Sequence, residues 1–379
     1  MSAGAGPAPD RGDVGRAAST AAGGRVVVAM SGGVDSSVAA ALVAESGAET
    51  IGVTMRLSAS ASRCCSLEDA DDARRVAEGL GIRFYVANYT EVFGREVVDA
   101  FADAYLDGRT PIPCVACNKR FKFDHLLERA KAFGATRVAT GHYARIARDP
   151  ESGRARLYRA VDRQKDQSYF LFSLSQAQLR AASFPIGEMS KAEVRERARR
   201  LGLGTAEKPE SQEICFVPDG DYAAVVERLR PEARARGGEI VDLEGRVLGR
   251  HAGIHRFTVG QRHGLGIASD RRLYVVRLEP AERKVVVGDV ADLDRDTMRV
   301  EQVSWTAGVT PGAALRARVQ VRHRHEPVSA RVEPVADGAA VVRFDEPVRA
   351  IAPGQAAVFY DADRGEEVLG GGWIARGAA

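Results

Sequence analysis

Cys117 lies in Gly108-Arg109-Thr110-Pro111-Ile112-Pro113-Cys114-Val115-Ala116-Cys117-Asn118-Lys119, a loop stiffened by two prolines that leads into a helical pattern. A thiol at a helix start beside Lys119, Arg120 and Lys122 is a candidate for a lowered pKa, because the helix dipole and nearby cations both favour the thiolate. Cys215 stands far along the chain in Ser211-Gln212-Glu213-Ile214-Cys215-Phe216. By itself it reads as a small buried hydrophobe. The other chemistry-bearing stretch is Ala29-Met30-Ser31-Gly32-Gly33-Val34-Asp35-Ser36-Ser37, set between an apolar run and an Ala-rich run. Gly32 and Gly33 can adopt backbone angles closed to other residues, while Asp35, Ser36 and Ser37 offer N-cap oxygens where free main-chain N–H groups converge. Those features make an anion cradle, suited to phosphate. It has neither the Lys-Ser/Thr ending of a Walker A loop nor the spacing of a dinucleotide fold. Met55, ending the next strand, reads either as a core residue or as one that meets an adenine ring, and Gly141 and His142 follow a later strand where α/β folds gather ligands, the histidine reading equally as a structural residue.

The elements that must position these residues alternate. Short Val/Ile/Thr-rich runs at 25–30, 50–57, 83–87 and 137–139 read as strands, and 38–44, 67–80, 91–106 and 121–133 carry helical spacing. This predicts an α/β, doubly wound parallel sheet over residues 25–218, with ligands at the carboxyl ends of the strands. Ser190-Lys191-Ala192-Glu193 is a capping box opening a further helix. Past Cys215, short alternating strands broken by Gly, Pro and Asp predict a small connecting domain over 219–292 and a C-terminal β-barrel over 293–379.

The 379 residues suffice for two or three domains, each with its own core. With 54 basic and 51 acidic side chains the net charge is only +3, so nucleic-acid binding must be argued from where the arginines sit. Five cysteines (Cys64, Cys65, Cys114, Cys117 and Cys215), without a secretory signal, point to a reducing compartment and thiol chemistry or metal ligation. Residues 1–24 are rich in Ala, Gly, Pro and Ser and contain no apolar run long enough for a signal or membrane anchor; they read as a disordered tail on a cytoplasmic protein.

The order Ser-Gly-Gly-Val-Asp-Ser resembles the pyrophosphate loop of ATP-pyrophosphatases, which cleave ATP between its α and β phosphates. More widely, AMSGGVDSS, TPIPCVACNKRFKF, ATGHYARI, KDQSYFLFSL, SQEICF, FTVGQRHGLGI and DEPVRAIAPGQAAVFY stand in the order found in the tRNA-specific 2-thiouridylases of the MnmA (TrmU) family, from about Arg25 to near the C-terminus. The resemblance implies a monomeric enzyme in which the C2 oxygen of a flipped-out wobble uridine, in a tRNA anticodon stem-loop, attacks the α-phosphate of Mg2+-ATP. It implies that Ala29, Met30, Ser31, Gly32, Gly33, Val34, Asp35, Ser36, Met55 and Gly141 hold the nucleotide. Cys215 would carry sulfur as a persulfide delivered by a sulfur-relay protein or cysteine desulfurase. Cys117 would release that sulfur, leaving a Cys117–Cys215 disulfide. Ile112, Pro113 and Cys114 would contact the base, and Lys165, Asp166, Gln167, His142 and Gln355 would line its approach.

The chain departs from the family at Cys114, where well-known members carry an aspartate. Cys114, Cys117 and Cys215 are accordingly candidate ligands for three irons of a [4Fe–4S] cluster, and a Cys-x-x-Cys pair is also the spacing of a redox dithiol or half a zinc site. His251 and His255 stand four apart in a strand-rich stretch, where such side chains do not converge on a metal. Cys64 and Cys65, being adjacent, read as loop residues. From Leu315 to His325 the even positions are Arg316, Arg318, Gln320, Arg322 and Arg324, a basic strand face that, with His323, is expected to take the phosphate backbone in a salt-sensitive way. Lys191, Arg195, Arg199 and Arg200 give the capped helix a similar edge. Two other functions share parts of this pattern. One is a lysidine-type or amidotransferase-linked synthetase, which needs the loop but not the cysteines; the other is a nucleotide-gated RNA-binding or redox module without turnover.

Overall fold

The computed structural model describes residues 24–58, 67–210, 214–217, 220–235 and 237–377. The expected N-terminal tail, all but Gly24, and Cys64 and Cys65 lie outside them. Two compact units form. The first comprises the described residues of Met1–Arg56, Cys64–Asn88 and Arg120–Glu210; the second comprises those of Leu57–Arg63, Tyr89–Lys119 and Ser211–Ala379.

In the first unit, strands β1 (Arg25–Ala29), β2 (Glu49–Arg56), β3 (Arg83–Asn88), β4 (Arg137–Thr140) and β7 (Ala182–Ser183) make a sheet of order β3-β2-β1-β4-β7, parallel throughout. β1 is a run of valines buried on both faces, the composition that a central parallel strand requires. Helix α1 (Val34–Glu45) buries Val38, Ala39, Ala40 and Val43 in the same core as Val194 and Ala198 of the helix Lys191–Arg200. The four expected strands are present. β7, with two residues, is too short to carry a periodic signal. β5 (Ala144–Arg148) and β6 (Ala155–Arg159) form an antiparallel hairpin after β4. Because β1 is flanked by β2 on one side and β4 on the other, strand order reverses there, opening a crevice beyond their carboxyl ends.

The second unit holds a four-stranded sheet of order β10-β11-β8-β9, from β8 (Gly238–Val241), β9 (Val247–His251), β10 (Tyr274–Glu279) and β11 (Lys284–Gly288). It also holds six antiparallel strands, β12 (Asp294–Trp305), β13 (Leu315–Gln320), β14 (Val328–Val335), β15 (Ala339–Arg349), β16 (Ala356–Asp361) and β17 (Glu367–Ile374). These pair in the cycle β12-β15-β14-β13-β16-β17 and back to β12, so the barrel is closed. Closure removes the sheet edges. Val300, Val319, Val332, Val342 and Phe359 fill the interior.

Two expected helices are not regular. Residues 90–106 run as Thr90–Phe93, a π-helical Gly94–Asp99 and Ala100–Leu106; downstream, Pro113–Ala116 is followed by a π-helical Cys117–His125 and then Leu126–Ala132. A π-segment displaces side chains from the 3.6-residue rows, so periodicity read from sequence finds the helix and misses the distortion.

Candidate functional site

The glycine loop joins β1 to α1 at the crevice. Gly32 has φ of 71°, and a Cβ there would lie 2.1 Å from the carbonyl oxygen of Asp69. A Cβ at Gly141, just after β4, would lie 2.6 Å from the main-chain nitrogen of Ser36. Only glycine fits at either place, so the loop, the start of helix Leu67–Gly79 and the end of β4 meet at backbone distance. Met55 and Met30 are buried at the ends of their strands.

The cap differs from the expectation. Gly33 is the N-cap of α1 and no side chain caps it. The hydroxyls of Ser36 and Ser37 instead donate to the Gly33 carbonyl at 3.0 and 2.9 Å, and Ser36 Oγ accepts from Ser31 N–H at 3.1 Å. Asp35 is already in the first helical turn, so its carboxylate turns away from the N–H groups. Among the described residues no side-chain cap is bonded at the N-terminus of this 12-residue helix, whose first-turn N–H groups lie at the positive end of its dipole, the end that favours an anion.

Asp35 faces a network that periodicity does not reveal. Lys191 Nζ donates to both its carboxylate oxygens at 2.8 and 2.9 Å and to Glu210 at 2.6 Å. Tyr143 donates to Asp35 at 2.8 Å, and Lys165 donates to Glu210 at 2.6 Å. Burial, reinforced by Asp35, holds the Tyr143 phenol far above its ordinary pKa, so it remains a donor. Burial resists ionisation of Glu210, but the bonds from Lys165 and Lys191 outweigh it and keep the carboxyl below its usual range. Lys191 thus neutralises two acids beside the anion cradle. Lys191→Met is expected to destabilise this unit by about 2 kcal/mol, less than the loss from a fully buried pair. By calorimetry the melting temperature should fall by roughly 4–8 °C, and adding Asp35→Asn should recover part of the loss; full stability in the single variant would refute the role.

His142 is buried. Its Nδ1 meets Thr140 Oγ1 at 2.7 Å and its Nε2 meets Lys122 Nζ at 3.2 Å. Burial, with Lys122 adding to it, holds the imidazole well below its ordinary value of 6.5, so it is neutral in the fold. The unfolded chain then binds more protons below pH 6.5, and stability falls as pH drops through that value. His142→Gln should flatten the melting temperature against pH between about 6.5 and 5; the residual slope would come from His251 and His325, which burial also lowers.

The Lys165-Asp166-Gln167 segment is likewise engaged within the unit. Asp166 accepts from Arg159, Ala160 N–H and Ser168, and Gln167 Oε1 accepts from Tyr143 N–H at 3.0 Å. In the capped helix, Lys191 points inward, Arg195 donates to the carbonyls of Ala206 and Lys208, and Arg199 pairs with Glu207. The expected basic edge is mostly tied up by these partners.

The second unit contains all three described cysteines: Cys114 is exposed, and Cys117 and Cys215 are half-buried thiols. Pro113 is the first residue of its helical turn and Ile112 its N-cap, so Cys114 occupies the first turn and Cys117 lies beyond it. Cys114 and not Cys117 therefore sits at the helix start, because Pro113 begins the helix earlier than expected. Phe101 links the two thiol segments: its ring packs 5.1 Å from that of Phe216, next to Cys215, and it lines a cavity with Pro113 and Ala116, next to Cys117. Among the described residues no three His, Cys, Asp or Glu side chains are placed to hold a metal ion, so Cys114, Cys117 and Cys215 are not arranged as cluster ligands here. His251 and His255 are used within the fold, on the Arg283 carbonyl and on Glu227.

On the barrel, Arg316 and Arg318 are exposed and Ala317 and Val319 buried, as the alternation predicts, but the strand ends at Gln320. Gln320 is buried and accepts from Tyr360. Nor is the face of one sign, since Arg316 pairs with Asp345 across the sheet. Arg331 and Arg343 continue the Arg316 row on neighbouring strands, a feature visible only once register is known. His323 and Arg324 follow β13 and are exposed. Gln355 donates to the Thr110 carbonyl at 3.0 Å, within the second unit. Among the described residues no helix is long and apolar enough to cross a membrane.

Family models match most of the chain: a tRNA methyl transferase HUP domain over residues 24–219, a tRNA methyl transferase PRC-barrel domain over 226–289 and an aminomethyltransferase β-barrel domain over 295–374. Proteins named tRNA-specific 2-thiouridylase MnmA are similar over nearly their whole length. That of Solibacter usitatus is 52% identical over 368 residues, covering 92% of this chain and 98% of the relative. That of Rhizorhabdus wittichii is 54% identical over 367 residues, covering 95% and 94%, and that of Rhodospirillum centenum is 52% identical over 369, covering 94% and 92%. With half its residues shared across all three folded regions and the glycine loop built for an anion at the switch point of its parallel sheet, the chain belongs to the MnmA family of tRNA-specific 2-thiouridylases.

Proposed function

We propose that this protein is an ATP-dependent tRNA sulfurtransferase that converts the C2 oxygen of the wobble uridine to sulfur, acting as a cytoplasmic monomer on the anticodon stem-loop. The observation that carries the reading is the uncapped α1 N-terminus, held open by Gly32 and Gly141, in a chain that shares half its residues with proteins of that name. The first-turn N–H groups bind the phosphates of ATP, and Lys191 holds the Asp35 carboxylate neutralised beside them. A Mg2+ ion bound with ATP would offset charge on the departing pyrophosphate. The uridine C2 oxygen attacks the α-phosphorus, pyrophosphate leaves, and the adenylated oxygen becomes a good leaving group.

Sulfur arrives on Cys215 as a persulfide, from a sulfur-relay protein or a cysteine desulfurase. The Cys117 thiolate attacks the inner sulfur, forming a Cys117–Cys215 disulfide and releasing hydrosulfide. Hydrosulfide adds to C2 and expels AMP, with one proton lost to water. An external thiol reduces the disulfide. The Phe101 scaffold shared by the two thiol segments supports this route, and among the described residues no three such side chains are grouped as a cluster would need.

The test is incubation with ATP, Mg2+, a persulfide donor and tRNA bearing a wobble uridine. AMP, pyrophosphate and 2-thiouridine should appear together. AMP without 2-thiouridine would favour a synthetase, and absence of AMP a binding module. A brown absorbance in anaerobic protein that Cys114→Ala abolishes would replace the persulfide route.

A further inference from the structure

Residues 107–113 connect the helix Ala100–Leu106 to the turn that carries Cys114 and leads to Cys117. Two prolines stiffen this loop, but other parts of the second unit determine where it sits. Both main-chain groups of Thr110 are taken by one turn of the barrel: Thr110 N–H donates to the Pro353 carbonyl at 2.8 Å, and Gln355 Nε2 donates to the Thr110 carbonyl at 3.0 Å. That turn is fastened to the last barrel strand, with Gly354 N–H donating to the Ile374 carbonyl and Ile374 N–H to the Gln355 carbonyl, each at 2.9 Å. Arg376, just past that strand, reaches Asp107 at 3.0 Å.

The approach is close enough to demand glycine. Gly354 has φ of 87°, and a Cβ there would lie 2.8 Å from Arg109 Cβ and 2.9 Å from Thr110 N. On the side of the connecting domain, Gly108 has φ of 64°, and its Cβ would lie 2.8 Å from Pro280 Cγ. Beneath the loop there is a cavity of about 240 Å³ bordered by Ile112, Pro113, Ala116 and Trp373. A loop over a cavity lacks the close packing that fixes a core segment, so its position rests on these polar bonds and backbone contacts.

We propose that the barrel turn Pro353–Gln355 is a positioning clamp for the nucleophile loop, Gln355 acting through Thr110 to hold the Cys117 segment at working height. A domain expected to receive RNA thereby also sets the place of a reacting thiol. The proposal rests on Cys117 being the nucleophile of the reaction given above; the clamp itself rests on geometry alone.

The test uses full-length Gln355→Ala and Gly354→Ala proteins. Site-resolved alkylation by iodoacetamide, read by peptide mass spectrometry without tRNA or ATP, should change at Cys117 at least about fivefold while Cys215 stays within about twofold. Single-turnover sulfur transfer at saturating tRNA should fall about tenfold in Gln355→Ala and about 100-fold in Gly354→Ala, the former being about the loss of one hydrogen bond to a positioned loop. Unchanged Cys117 alkylation together with weakened tRNA binding would make Gln355 an RNA contact only and overturn the clamp, as would parental alkylation and transfer. If Gly354→Ala fails to fold, Gln355→Ala decides alone. If the parent protein makes no 2-thiouridine, the functional reading fails, while the alkylation arm still judges the clamp.

Discussion

Cys215→Ser and Cys117→Ser are each expected to lower 2-thiouridine formation at least about 1,000-fold, the scale of removing a covalent nucleophile. Pyrophosphate release on mixing with ATP and tRNA should survive in both, because the cradle lies in the unit that contains neither cysteine. A serine oxygen cannot carry a transferable sulfur or close a disulfide, so the two variants should differ in a diagnostic way. After exposure to a persulfide donor, Cys117→Ser should retain one extra sulfur on Cys215, seen in its peptide mass; Cys215→Ser should show none there. Thiolation at the parental rate in Cys215→Ser would end the assignment of that residue as carrier. Loss of pyrophosphate release in both would mean that adenylation and sulfur transfer do not separate.

Gly32→Ala and Gly141→Ala are expected to weaken ATP binding at least about 100-fold, or by about 2.7 kcal/mol. In Gly32→Ala the new methyl group would sit 2.1 Å from the Asp69 carbonyl oxygen, at a φ of 71°. In Gly141→Ala it would sit 2.6 Å from Ser36 N and 2.7 Å from the Asp35 carbonyl carbon. Neither neighbour is a flexible side-chain end, so the backbone of the cradle must move. Gly33→Ala is the control: its φ is −95° and a Cβ would come no closer than 3.7 Å, to Ser31 Oγ. Its melting temperature should match the parent. Titration calorimetry and thermal melts of the three proteins check this, and parental ATP affinity in Gly141→Ala would refute the close-approach argument.

The site was legible to different depths. Gly32 announces itself, because a glycine pair after an apolar strand and before an Ala-rich helix has few other uses. Gly141 is readable only as the residue after a strand, and its need for a missing Cβ depends on α1 passing within van der Waals distance. Lys191 looked like part of a basic surface edge. Its helix packs beside α1, however, and the ammonium turns inward to Asp35, 156 residues away in sequence. His142 stands after a strand, where either a ligand-binding or a structural histidine fits, and only the fold shows that it is a neutral, buried imidazole. Gln355 carries no local signal, since its partner is the main chain of Thr110, 245 residues earlier.

Local pattern by itself indicated most of the strand and helix order, the doubly wound sheet, the barrel of alternating strands and the glycine loop that joins the first strand to its helix. Those depend on periodicity, turn residues and composition, which act over a few neighbouring positions. The tertiary structure alone decided which charges neutralise one another, where the helix carrying Cys114 and Cys117 begins, which arginines share a row across barrel strands, and what clamps the cysteine loop. Each of these is a contact between segments far apart in the chain, set by register and close approach, and no single stretch of residues encodes it.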